Sequence, residues 1–339
     1  MSQPRVVRFL IWFFVTACVL SLSGRLWNKA LNVSEGAVGF GGLKEKSQTQ
    51  AQAHYMMGLF YENQNKFDEA ITEYKQTLAL EKDIPAPRVR IAANLIRKND
   101  FPGALIELQE AKKLDPENIE TGLLLTLLYT IQNSSDKAVQ EYEDVLKKAS
   151  SADPKNVDIL KTLAGLYYQQ KKFPEAGNLY KLVLDIDKND YESVFLLGAL
   201  LEESGKRDEA VEKFKEVLKL KPDYANALNS LGYLYAEDGR QLNEAEELIK
   251  KAILIEPDNG AYIDSLGWVY FKRNELDKAI EHLEKASLLL FDPLIYEHLG
   301  DAYFKKGVQD KAQASWQKSL ELNPAQDKLK EKIGKSRKE

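Results

Sequence analysis

From about residue 51 the hydrophobic and polar positions repeat with a spacing close to 34 residues. Within each period large apolar side chains fall at i, i+3 and i+7, as Leu228, Leu231 and Tyr235 do. That spacing puts them on one stripe of a helix. A small residue recurs at Gly58, Ala92, Ala164, Gly198, Gly232, Gly267 and Gly300. A large one follows three places on, at Tyr61, Leu95, Tyr167, Leu201, Tyr235, Tyr270 and Tyr303. Alanine comes twelve places after the small residue, at Ala70, Ala104, Ala176, Ala210, Ala279 and Ala312; Ala245 is one place late, so the turn before it holds an extra residue. Small residues let two helices cross closely, where bulk would push them apart. Prolines at Pro116, Pro154, Pro222, Pro257 and Pro324 close the periods, because proline cannot continue a helix interior. The pattern predicts consecutive pairs of helices and no sheet.

The clearest copies read LGYLYAEDGRQLNEAEELIKKAILIEPDN, LGWVYFKRNELDKAIEHLEKASLLLFDP and LGDAYFKKGVQDKAQASWQKSLELNP. On these residues the chain resembles the tetratricopeptide repeat family over residues 51 to 326. Eight units start near Ala51, Pro85, Ile119, Val157, Tyr191, Ala225, Gly260 and Pro293. The third fits least: Thr126 stands where the small residue belongs, and KKASSADP adds residues that suggest a kink or a functional loop. A last helix near Gln326–Gly334 reads as a cap, with Leu329 and Ile333 covering the eighth unit and a basic tail to residue 339. The resemblance implies an all-α fold, a right-handed α-solenoid whose inner face is lined by the first helix of each unit.

In that family the groove is lined by positions 2, 5, 9, 12 and 13 of each unit. Carried onto the last three units, these give Asn226, Asn229, Tyr233, Asp264, Trp268, Phe271, Glu297, Asp301 and Phe304. Earlier units would add Tyr55, Lys161, Tyr168 and Phe195. Asparagine bonds a peptide backbone as donor and acceptor, and aromatic side chains give contact area at low entropic cost. The implied partner is a protein or peptide, although the aromatics could equally pack between neighbouring first helices. The carboxylate clamp of chaperone-binding members is not matched: Gly165 stands one turn after Lys161, and Asp264 and Glu297 would repel a terminal carboxylate.

Composition narrows the chemistry. The net charge of −5 argues against nucleic-acid binding, which needs a basic face. The tail KLKEKIGKSRKE reads as a solvated helix end. One cysteine, Cys18, forbids an internal disulfide and a cysteine metal cluster. His54, His282 and His298 lie in three separate units and read as surface or packing residues. No HExxH and no GxSxG occurs, and acidic pairs such as Glu202-Glu203 and Glu246-Glu247 read as solvated helix faces. The sequence points to no enzyme, no cofactor, no metal and no small-molecule substrate.

The first 24 residues differ from the rest. Arg5 and Arg8 precede Phe9–Leu20, an uncharged apolar run. It is shorter than the roughly 20 residues of a membrane-spanning helix. Basic start, short apolar run and small residues fit a secretory signal. Val15-Thr16-Ala17-Cys18 resembles the lipobox of bacterial lipoproteins, which makes Cys18 a candidate for lipidation, although Val19 and Leu20 extend the apolar run beyond it. An uncleaved signal-anchor and cleavage after Ser21-Leu22-Ser23 are the other readings. Residues 25–50, with Gly36, Gly39, Gly41 and Gly42, read as a flexible linker; no lysine-serine pair makes them a phosphate loop.

The expectation is an exported, membrane-associated protein on the periplasmic side as a lipoprotein, or one anchored in the inner membrane. YIDSLGWVYFKRNELDKAIEHLEKA and YEHLGDAYFKKG are similar to bacterial envelope repeat proteins. They suggest a non-catalytic scaffold that assembles partners in a cell-envelope complex. The alternative is a regulatory or substrate-recruiting subunit of an envelope glycosyltransferase or peptidase.

Overall fold

The computed structural model describes residues 45–239 and 241–336. Cys18 and the whole signal-like segment lie outside them. The described residues form 17 α-helices and no strand. Among them no helix is long and apolar enough to cross a membrane. The chain divides into two compact units, one ending at Gln170 and one starting at Lys171.

In the first unit α1 (Glu45–Asn63) packs on α2 (Phe67–Leu80), α3 (Pro85–Arg97) on α4 (Phe101–Leu114), and α5 (Ile119–Ile131) on α6 (Ser135–Ala152). α7 (Val157–Gln169) follows α6. The second unit opens with α8 (Phe173–Ile186). Four hairpins come next: α9 (Tyr191–Glu203) with α10 (Arg207–Leu220), α11 (Ala225–Glu237) with α12 (Leu242–Ile255), α13 (Gly260–Lys272) with α14 (Leu276–Leu289), and α15 (Pro293–Lys305) with α16 (Gln309–Leu322). α17 (Asp327–Ser336) lies against α16 and buries Leu329 and Ile333. Within each unit a second helix also packs on the first helix that follows it, so an apolar stripe that one hairpin cannot cover is buried by the next. The fold class is the all-α solenoid of helix pairs.

The small residues sit where the two helices of a hairpin touch. A Cβ added to Gly58, Gly198, Gly232 or Gly267 would come within 2.5–2.8 Å of Tyr74, Phe214, Ile249 or Leu283 of the second helix. A Cβ on Gly300 would fall on the indole of Trp316, itself fully buried. In the third hairpin the close approach moves back one turn. Thr126 is buried with its hydroxyl donated to the Gly122 carbonyl (2.9 Å), and it is Gly122 that faces Val145. The extra residues of KKASSADP do not form a loop: they lengthen α6 to 18 residues, against 14 in the other second helices. Glu45–Gln50, expected in the linker, are the first turns of α1; the stretch holds no glycine or proline to stop them.

The turns carry the conformation that ends a helix. Asn65, Asn99, Asn133, Lys171, Gly205, Gly239, Asn274 and Gly307 all have positive φ, and glycine and asparagine adopt it most cheaply. The extra residue before α12 adds a second left-handed position, Gln241. Asp100, Asn118, Asn156, Asp190, Asn259 and Asp292 cap the helices after them by accepting a first-turn backbone N–H.

Candidate functional site

In the second unit α11, α13 and α15 lie side by side, each touching the next. They carry all nine residues singled out by the repeat pattern, and the spacing of three, four and seven places puts those of each helix on one side of it. The structure separates those that form its floor from those left open.

The floor is a stack. Trp268 is buried, with its ring on the His298 imidazole (centroids 3.9 Å apart) and on Phe271 (4.6 Å). Its Nε1 donates to the Glu237 carboxylate at the end of α11. His298 is buried as well, and its Nδ1 donates to Asp264, 3.0 Å from each oxygen. Lys272 stands over Trp268 at 5.1 Å and Lys305 over Phe271 at 4.7 Å, an arrangement that favours both the cation and the ring.

The acids are paired. Glu297 and Asp301 on α15 both bind Lys332 of α17 at 2.8 Å. Burial alone would lower the Lys332 ammonium, but the hydrogen bonds it donates to Asp301 and Glu297 outweigh that and hold its pKa above the usual lysine value. Asp301 also accepts from Trp316 Nε1 at 2.9 Å. Lys332 thus sits between the Glu297 and Asp301 carboxylates, while Asp264 accepts from His298. Negative charge collects instead beside α11. Burial, then Glu203 and Glu237, raises the Glu202 carboxyl despite Arg207 nearby. Burial, then Glu237 and Asp264, pushes the Tyr233 phenol well above its ordinary range.

What remains open on the face is polar and aromatic. Asn226 is exposed, and its Oδ1 accepts from Tyr262 (2.7 Å). Asn229 is half-buried; its Oδ1 is itself enclosed and has no hydrogen-bond partner among the described residues. Tyr233, Phe271 and Phe304 are half-buried, with Phe304 resting on Trp316 (5.4 Å). Of the earlier candidates, Phe195 packs on Phe214 and Tyr224. Tyr55, in the first unit, rests on Tyr74, while Lys161 and Tyr168 are half-buried on α7. Among the described residues no three His, Cys, Asp or Glu side chains group to hold a metal ion.

His298, Glu237 and Lys332 belong to the site and were missed from the sequence. His298 follows Asp264 by 34 residues, one repeat, which is the signal that could have found it. The bond runs between neighbouring first helices, whereas a residue's own helix shows only what lies three or four places away.

These features describe a face built from successive first helices of a helical-repeat protein. Models described as "TPR repeat" and "Tetratricopeptide repeat" match residues 51–84, 135–201, 201–239, 225–259, 262–289 and 294–326, well over half of the sequence. The chain belongs to the tetratricopeptide repeat family, whose members act as protein-interaction scaffolds. It is similar to a TPR repeat-containing protein of Methanocaldococcus jannaschii, 24% identical over 78% of this chain and 49% of that one. It is also similar to the type IV pilus assembly protein PilF of Pseudomonas aeruginosa, 24% identical over 44% of this chain and 59% of that one. The chain thus spans about half of these curated relatives. A crystal structure of a tetratricopeptide repeat protein from Parabacteroides merdae superposes with a TM-score of 0.57 at 21% identity, over 74% of this chain and 98% of that one.

Proposed function

We propose that the chain is a non-catalytic scaffold, held at a bacterial membrane by its N-terminus, that assembles protein partners of a cell-envelope complex. The observation that carries the binding role is the α11–α13–α15 face. Its floor is fixed by the stack of His298, Trp268 and Phe271, and its open positions hold Asn229, Tyr233, Phe271 and Phe304. Rigid aromatics beside an unsatisfied amide suit an extended protein segment, which offers backbone N–H groups and side chains together. Asn229, half-buried on that face, would hydrogen-bond the ligand backbone through its amide group.

The tether is read from Arg5, Arg8, the run Phe9–Leu20 and the lipobox-like Val15-Thr16-Ala17-Cys18. Acyl chains on Cys18 would supply the anchor that a twelve-residue run is too short to give by itself. The similarity to a pilus assembly protein favours an envelope setting. Metabolic labelling with palmitate, followed by membrane fractionation, tests the tether in wild type and Cys18→Ala. Label and membrane association that both disappear in the variant support it; an unlabelled wild type removes the lipid anchor.

A further inference from the structure

The second helices of the second unit end in a regular way, and two of them break the rule. The next-to-last residue is Asp185 in α8, Lys219 in α10 and Glu321 in α16, but Leu254 in α12 and Leu288 in α14. These two leucines are 80% and 82% exposed. The connectors break with the pattern too. Asp187-Lys188-Asn189-Asp190 follows α8, Lys221-Pro222-Asp223-Tyr224 follows α10 and Glu256-Pro257-Asp258-Asn259 follows α12. After α14 the connector is Leu290-Phe291-Asp292, with Phe291 70% exposed. The ends of α12 and α14 are neighbours, since Ile253 of α12 packs on the buried cluster of Ile263, Ala286 and Ile295. Leu254 and Ile255 at one helix end and Leu288, Leu289, Leu290 and Phe291 at the next make up an exposed apolar ridge on second helices, whereas the candidate groove positions are on first helices.

Among the described residues nothing covers this ridge. Its exposed apolar area is on the order of 600 Å², at the upper end of what a monomer carries. A standard interface buries about 800 Å² per partner, a little over half of it apolar, so the ridge alone suffices for one side. The rim carries both signs: Lys251 and Lys285 stand beside Glu256, Asp258 and Asp292. A second copy presents the same mixed rim, so lysines and carboxylates are available on both sides of a symmetric contact. An anionic lipid surface suits this rim poorly, because its carboxylates outnumber its lysines.

We propose that the α12–α14 ridge is a self-association surface, on which a second copy of this chain docks symmetrically and leaves the α11–α13–α15 face free. Sedimentation equilibrium of the full chain in a nonionic detergent, from micromolar to 100 micromolar, tests it. Wild type should form a dimer, and Leu254→Glu/Leu288→Glu should weaken that dimer at least ten-fold with an unchanged helical circular dichroism spectrum. Ile106→Glu, at an exposed site of the first unit, should leave it unchanged. A second readout uses the Cys18→Ser background, in which Leu288→Cys should give a disulfide-linked dimer and Ile106→Cys should not. The proposal is overturned by a monomer throughout, by dimers that persist in the double variant, or by flotation of wild type but not the double variant with phosphatidylglycerol vesicles while association is unaffected.

Discussion

His298 donates its Nδ1 proton to Asp264, 3.0 Å from each carboxylate oxygen, with both side chains almost wholly buried between α13 and α15. The two are one repeat apart, and their bond fixes the ring on which Trp268 stacks. Removing either partner leaves the other in a dry setting, but the costs differ. Asp264→Ala strands one N–H, a loss of about 1–3 kcal/mol. His298→Ala strands a carboxylate, a loss of about 3–5 kcal/mol. Thermal unfolding of both variants should show the histidine change to be the more damaging. Equal losses would mean that the pair adds only volume.

Glu246 on α12 gives the acid limb of stability a named source. Burial raises its carboxyl, but hydrogen bonds from Lys250, Tyr270 and Arg273 outweigh that and hold its pKa down at about 2. A group depressed in the folded state stabilises fully above its unfolded pKa, about 4.3 for glutamate, and the contribution fades as pH falls towards the folded value. Wild type should therefore lose stability between about pH 4.5 and pH 2. Glu246→Gln should be less stable at neutral pH and flatter over that window. Melting temperatures taken across pH 2 to 7 measure it, and parallel curves for the two proteins would exclude Glu246 as the source.

The closeness of α15 and α16 rests on Gly300. Gly300→Ala puts a methyl group against the buried Trp316 indole, and overpacking of this kind costs about 1–3 kcal/mol. Asp301 accepts from Trp316 Nε1 and binds Lys332, so the strain should spread into α17. Hydrogen exchange should quicken in α15, α16 and α17 together. Loss of protection confined to α16 would show that the cap is independent of the hairpin.

Much of this was legible in the residues, for a reason specific to repeats. Gly232, Tyr235 and their counterparts state the crossing point and the stripe several times over, so no single substitution hides the helix pairs. The third hairpin shows the limit. Thr126 reads as a defect, yet Gly122 one turn earlier takes over the close approach. The face itself was legible as a set of positions and less so as chemistry. Trp268 and Asp264 stand at the expected groove positions, but their partners Glu237 and His298 lie on neighbouring helices. Whether an acid faces solvent or a buried imidazole is settled by packing between helices, which spacing along one helix does not report.

The binding face is tested most directly by site-specific photocrosslinking in cells, with p-benzoylphenylalanine placed at Phe271, at Phe304 and, on a second helix, at Leu182. The account predicts adducts with the same protein partner from positions 271 and 304, lost when Asn229→Ala is added, and none from 182. Adducts from 182 alone, or adducts from 271 and 304 that are indifferent to Asn229→Ala, would contradict it.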